Sequence, residues 1–324
     1  MTTRPRPFQQ IDVFTAIPLR GNPLAVVLDG EGLSTEKMQH FTNWTNLSEA
    51  TFLLPPTHPE ADYRVRIFCP GRELPFAGHP TLGSCHAWLS TGAQPRGEHV
   101  VQDCGIGLVK LRRDPASDGS ASSARLAFAA PPLRKSGPLP EADVALIARG
   151  LGIARDDITG HAWCDNGPNW RGVMLRSAEQ VLALKPDAAV LAGLDIGVVG
   201  PRGKVGVVGS WTPTLPAARG SLPPEGAVPP WGGPAAGRDG DDSAFEVRAF
   251  FPGNNGMVED PVTGSLNAAL AQWLIGAGLA PSSYVASQGT ALARAGRVHV
   301  ERDAKGTIWI GGASVTCVTG TVEL

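Results

Sequence analysis

Apolar and polar positions alternate along much of this chain. Residues 10–15, 25–28, 50–54, 63–68, 107–111, 124–128, 171–175, 245–250, 298–301 and 307–310 read as strands. In an extended chain successive side chains fall on opposite faces, and where one face is buried the sequence alternates with period two. A helical spacing predicts helices over 35–43, 80–90, 141–149, 178–184 (shading into 187–191) and 261–275. Strands follow one another with only occasional long helices. This predicts an α+β fold of largely antiparallel sheets around a few helices, not the strict alternation of a doubly wound parallel sheet. Between 208 and 243 the pattern gives way to Pro and Gly, and seven prolines fall within 211–242 (Pro213, Pro216, Pro223, Pro224, Pro229, Pro230, Pro234). Proline can neither continue a helix nor donate to a ladder, so 211–242 reads as an inserted surface loop. Its two tryptophans, Trp211 and Trp231, count against a free-floating linker.

An internal repeat is superimposed on these elements. Val65-Arg66-Ile67-Phe68-Cys69-Pro70-Gly71 recurs as Val247-Arg248-Ala249-Phe250-Phe251-Pro252-Gly253. A few residues on, His79-Pro80-Thr81-Leu82-Gly83-Ser84 is answered by Asp260-Pro261-Val262-Thr263-Gly264-Ser265. Each copy reads as strand, turn and helix, with Pro80 and Pro261 at the first helical position and His79 and Asp260 as N-caps. One copy alone would be a well-capped helix. Two copies predict a duplicated fold whose halves aim two helix starts, with their unpaired N–H groups and positive dipole ends, at one cleft.

Length and composition narrow the function. A chain of 324 residues, 42% hydrophobic and 18% charged, suits roughly two globular domains. With 28 Lys+Arg against 30 Asp+Glu there is no cationic excess for a phosphate backbone, so nucleic acid is excluded as a partner. The longest apolar stretch, 265–280, is interrupted by Asn267 and Gln272 and is too short to span a bilayer; with no secretory leader at 1–10, a cytoplasmic location and no membrane partner are expected. The five cysteines (Cys69, Cys85, Cys104, Cys164, Cys317) form no CxxC pair and read as reduced and mostly core. No GxGxxG, P-loop or metal-ligand spacing occurs, so neither cofactor nor metal is expected.

Further residues make the chain similar to a known family. Asp12-Val13-Phe14-Thr15, Gly21-Asn22-Pro23-Leu24-Ala25-Val26-Val27, Asn46-Leu47-Ser48-Glu49-Ala50-Thr51-Phe52, Pro75-Phe76-Ala77-Gly78-His79-Pro80-Thr81, Glu259-Asp260-Pro261-Val262-Thr263-Gly264-Ser265, Gln288-Gly289 and Gly311-Gly312 resemble the PhzF-like family over nearly the whole chain. That family shares its duplicated fold with diaminopimelate epimerase. The resemblance implies two pseudo-symmetric domains, each a curled, mostly antiparallel sheet around a central helix, with the active site between them. The halves expected are 1–128 with a C-terminal strand at about 313–324, and 129–312 carrying the insertion. It also implies a cofactor-independent isomerase of small unsaturated amino acids or cyclic carboxylates, usually a homodimer. The catalytic positions fall on Glu49, His79 and Asp260, and the substrate-binding positions on Gly78, Gly264 and Ser265. The insertion departs from the family's shorter connection and bears on pocket shape.

The residue chemistry is compatible with that assignment. A Glu seen alone is usually a solvated edge carboxylate. Glu49, flanked by Leu47 and Phe52, should instead be desolvated and its pKa raised toward neutrality, where one carboxyl can take a proton from one carbon and return it to another. His79 alone would be a structural histidine; beside Asp260 it suits a contact or proton donor to a substrate oxygen. Racemases of the wider fold carry a thiol at each helix start, and neither position here is Cys. An amino-acid epimerase and a non-catalytic binding homologue are the alternatives.

Overall fold

The computed structural model describes residues 3–114, 125–203, 243–253 and 256–324. The insertion at 211–242 lies outside the described residues. The first half contains β1 (Pro5–Val13), β2 (Asn22–Val27), α1 (Thr35–Thr45), β3 (Ala50–Leu54), β4 (Tyr63–Cys69), β5 (Arg72–Leu74), α2 (Gly78–Ser90), β6 (Val100–Cys104), β7 (Gly107–Asp114) and β8 (Arg125–Ala129). After α3 (Glu141–Leu151) come β9 (Gly160–Asp165), β10 (Asn169–Met174), α4 (Ala178–Ala183), β11 (Ile196–Pro201), β12 (Phe245–Gly253), β13 (Gly256–Asp260), α5 (Gly264–Gly276), β14 (Ser283–Gln288), β15 (Gly296–Arg302), β16 (Ile308–Gly312) and β17 (Ser314–Glu323).

The pairing scheme runs twice. In the first half β1–β2, β3–β4, β4–β5, β6–β7 and β7–β8 are antiparallel, while β2–β3 and β4–β6 are parallel. In the second half β9–β10, β11–β12, β12–β13, β14–β15 and β15–β16 are antiparallel, while β10–β11 and β12–β14 are parallel. Parallel neighbours need a long crossover, and α1, α2, α4 and α5 supply the four crossovers. The last strands of the two schemes, β8 and β16, pair with each other, and β17 returns to cover β1.

Helices α2 and α5 are buried along most of their length, α5 with apolar residues on nearly every side and α2 with small and apolar residues interspersed with buried His79, Thr81 and Ser84. The first touches β1, β2, β3, β6, β8 and β17, and the second touches β9, β10, β15 and β16. Each sheet therefore curls around one central helix, filled in α5 by Leu266, Leu270 and Leu274. This is the mostly antiparallel, pseudo-symmetric α+β architecture expected from the sequence.

Two local expectations fail. Helix α2 begins at Gly78 with Ala77 as N-cap, so Pro80 is its third residue; α5 begins at Gly264 with Thr263 as N-cap, so Pro261 precedes it. His79 and Asp260 are therefore not caps. Proline is tolerated at the third position because the first N–H groups of a helix lack intrahelical acceptors. Asp260 still belongs to the β13 ladder, opposite Ala249. The equivalent helix starts are thus Gly78 and Gly264, and the match of His79 with Asp260 is out of step. The second failure is 187–191, which is turn and not helix. Pro186 disfavours helical backbone before it, and the Asp187 carboxylate accepts from the N–H groups of Ala189 and Val190 as an Asx turn.

Candidate active site

The starts of α2 and α5 meet backbone to backbone. A Cβ on Gly78 would lie 2.9 Å from Gly264 Cα, and one on Gly264 would lie 3.0 Å from Gly78 Cα, so a larger residue at either position forces the helices apart. Two sets of first-turn N–H groups without intrahelical acceptors therefore lie close together. Ser265 follows Gly264 and is held from its own half: Trp170 Nε1 donates to its hydroxyl at 3.1 Å, and Asn166 Nδ2 donates to its carbonyl at 2.8 Å.

Glu49 reaches this place by a local device. Helix α1 ends on Asn46 in the left-handed conformation (φ 57°), a conformation Asn adopts more readily than most residues, and the reversed chain enters β3 at Ala50. Glu49 is the residue before that strand, with its side chain 17% exposed. Its Oε2 lies 3.4 Å from Nε2 of His79, the second residue of α2, whose side chain is 5% exposed. Neither of these two buried atoms has a hydrogen-bond partner. Burial, with the Asp260 charge adding to it, pushes the Glu49 carboxyl up to about 8. Burial drives the His79 imidazole down to about 3. At neutral pH the contact is therefore a carboxylic acid facing a neutral imidazole, not an ion pair.

Asp260 arrives from the other half at the end of β13. Asn22 Nδ2 donates to its Oδ1 at 2.8 Å and the Thr263 hydroxyl donates to its Oδ2 at 2.7 Å. Burial raises Asp260 to about 6 against the pull of those two donors. Gln288 steadies the corner, donating to the Asp260 carbonyl and the Thr263 hydroxyl and accepting from Thr263 N–H and Asn267 Nδ2. Two carboxyls with separated pKa values allow one to hold a proton while the other is charged, the usual basis for dividing acid and base roles. Among the described residues, no group of three or more His, Cys, Asp or Glu side chains could hold a metal ion.

The fold thus gathers Glu49, His79, Asp260, Gly78, Gly264 and Ser265 from the residue before β3, the end of β13 and the starts of the two central helices. Sequence reasoning gave no role to Asn22, Thr263 or Gln288. The signal was present, since all three lie inside the quoted motifs, but their partners are set by tertiary structure.

Comparison with known proteins bears on the family and the fold. The model of the PhzC-PhzF family, phenazine biosynthesis-like protein, matches residues 11–211 and 224–320. Antisense-enhancing sequence 1 of Schizosaccharomyces pombe is 33% identical over 323 residues, covering 97% of each chain. Trans-2,3-dihydro-3-hydroxyanthranilate isomerase of Pseudomonas aeruginosa is 35% identical over 181 residues, which is 56% of this chain and 61% of that protein. A PhzF-family phenazine biosynthesis protein of Bacillus anthracis superposes with a TM-score of 0.74 at 19% identity, covering 99% of this chain and 100% of the other. That last likeness speaks for the fold alone. With the family model spanning nearly the whole chain, the protein belongs to the PhzF family of phenazine biosynthesis-like isomerases.

Proposed function

We propose that this chain shifts a proton, and with it a double bond, within a small unsaturated amino acid or cyclic carboxylate, using Glu49 as proton carrier and no cofactor. The observation that carries this reading is the facing pair of unpartnered polar atoms, Glu49 Oε2 and His79 Nε2, 3.4 Å apart where two helix starts converge. A buried polar atom left without a partner costs about 1–3 kcal/mol, and a substrate that pairs with it removes that cost. With its pKa near 8, Glu49 is close to the balance at which a carboxyl both accepts and returns a proton at neutral pH. In its ionised form it takes a proton from one carbon and then delivers it to another on the same face. His79 is neutral and donates to the oxygen on which charge develops. The N–H groups at Gly78, Gly264 and Ser265 receive the substrate carboxylate. Asp260, anchored through both oxygens, holds a second polar group of the substrate.

The name of the Pseudomonas aeruginosa relative makes trans-2,3-dihydro-3-hydroxyanthranilate the first compound to try. From the family resemblance the proposal extends to secondary metabolism, a cytoplasmic location, a homodimer, and halves spanning 1–128 with 313–324 and 129–312. The deciding experiment compares single-turnover rate and ligand affinity in Glu49→Gln, His79→Ala and Asp260→Asn. Glu49→Gln should still bind while turnover falls by about 10²–10⁴-fold; the other two should lose affinity as well as rate. Near-normal turnover in Glu49→Gln, with Asp260→Asn inactive but still binding, would transfer the proton-carrying role to Asp260. In deuterium oxide, exchange at Cα with inversion of an amino acid would identify an epimerase instead.

A further inference from the structure

We propose that Asn22 is a positioning residue that fixes the tautomer of His79, its own orientation being dictated by the backbone carbonyl of Val262. This rests on the reading above, in which His79 acts as a neutral donor.

Asn22 opens β2 and is 0% exposed. Its amide nitrogen donates to Asp260 Oδ1 at 2.8 Å and Val262 O at 3.0 Å, and lies 3.3 Å from His79 Nδ1. The amide oxygen has no partner at all. A side chain present only for packing would turn to satisfy that oxygen. Here the turn is forbidden, because it would point the oxygen at Val262 O, which can only accept, and at the Asp260 carboxyl. The NH₂ therefore stays toward His79. A proton on Nδ1 would then face an amide nitrogen, which has no lone pair to accept it, so Nδ1 carries a lone pair and the single proton of the neutral ring sits on Nε2. This assignment comes from the hydrogen-bond network and the acceptor-only character of a carbonyl, since the proton is inferred from its partners.

The polarity thus runs from the Val262 carbonyl through the Asn22 amide to the imidazole, and leaves the proton on Nε2, 3.4 Å from Glu49 Oε2. It crosses between the halves, because Val262 and Asp260 belong to the second and Asn22 and His79 to the first. The donor the substrate meets is thereby set before it arrives, as in other sites where a hydrogen bond at one ring nitrogen decides what the other carries.

The test begins with the native chain and needs no substrate. Long-range ¹H–¹⁵N correlation of ¹⁵N-histidine-labelled protein at neutral pH should show His79 protonated at Nε2. Protonation at Nδ1, or an average of both tautomers, would overturn the proposal. The second arm is Asn22→Leu, which keeps the shape and removes the amide without setting a second carboxyl beside Asp260. The His79 resonances should lose the pure Nε2–H pattern, moving to Nδ1–H or to an average of the two, and kcat should fall by at least about tenfold. A folded Asn22→Leu whose His79 stays wholly protonated at Nε2 refutes the idea. If that variant does not fold, the native spectrum decides. Should no isomerase activity be found, the tautomer assignment still stands or falls on the spectra, which separates its failure from that of the proposed function.

Discussion

Replacing Glu49 by Gln should stabilise the protein, and the gain should grow with pH. The native carboxyl titrates at about 8 against 4.5 for an ordinary Glu. Between those values the folded chain holds a proton that the unfolded chain has released, so unfolding is favoured progressively as pH rises through that window. One pH step within it corresponds to about 1.4 kcal/mol, which gives a cost of about 1 kcal/mol at pH 5, about 3 kcal/mol at pH 7 and a ceiling near 5 kcal/mol above pH 8. These are upper figures, because the side chain retains 17% exposure. Gln carries no titrating proton and escapes the cost, at the pH-independent expense of burying an amide. His79 slopes the other way: held neutral down to about 3, it costs stability as pH falls below 6.5, where the unfolded imidazole is charged. That slope is common to both proteins and cancels in their difference. Urea unfolding of the two at pH 5 and pH 7 should show the Gln advantage increasing by about 2 kcal/mol, at equal m-values. Parallel stability curves would mean that Glu49 is not held protonated, and the proton-carrier argument would lose its physical basis.

Asp260→Asn removes a negative charge that raises the Glu49 pKa, so the pH at which activity rises with Glu49 ionisation should move downward, read from kcat/KM against pH; an unmoved or upward limb contradicts the coupling. The shift should be smaller than the whole Glu49 perturbation, because burial is its larger cause. Gly78→Ala should lower thermal stability by about 1–3 kcal/mol, the usual cost of overpacking, and Gly264→Ala should do the same, since each new methyl meets the opposite backbone at 2.9–3.0 Å. Ala tolerated at both positions without a change in Tm would show that the helix starts do not touch in solution.

Much of this architecture can be read from the chain, and the exceptions have identifiable causes. The run 50–54 coincides with β3, and those for β4, α1 and α3 extend by at most two residues, because their apolar spacing and turn residues agree. The strands β5 and β13 pair in hairpins with β4 and β12; β5 is only three residues long, and β13 (GMVED) has no buried residue to set an apolar period. Strand β11 (IGVVGP) carries two glycines and a proline, and β9 (GHAWCD) mixes small, polar and aromatic residues, so neither alternates visibly. Proline misled the reading of the helix starts, since it marks the first turn without fixing the position within it. At the site, Glu49, His79 and Asp260 stand out because each is a titratable group in a recognisable motif. Asn22 does not, because its partners His79 and Asp260 lie 57 and 238 residues away in sequence and only the fold makes them neighbours.

The pairing of β17 with β1 imposes an order on biosynthesis. Strand β1 precedes the other described strands, and the strand that covers its outer edge, Ser314–Glu323, follows them. While the intervening residues are translated, at about 5–20 per second, β1 waits for tens of seconds with a row of backbone donors and acceptors open to any passing strand. The nascent first half therefore spends most of its time on the ribosome as an incomplete sheet, and the sequence of β1 already blunts that exposure: Pro5 and Pro7 each lack an N–H, and Arg4 and Arg6 set charge beside them.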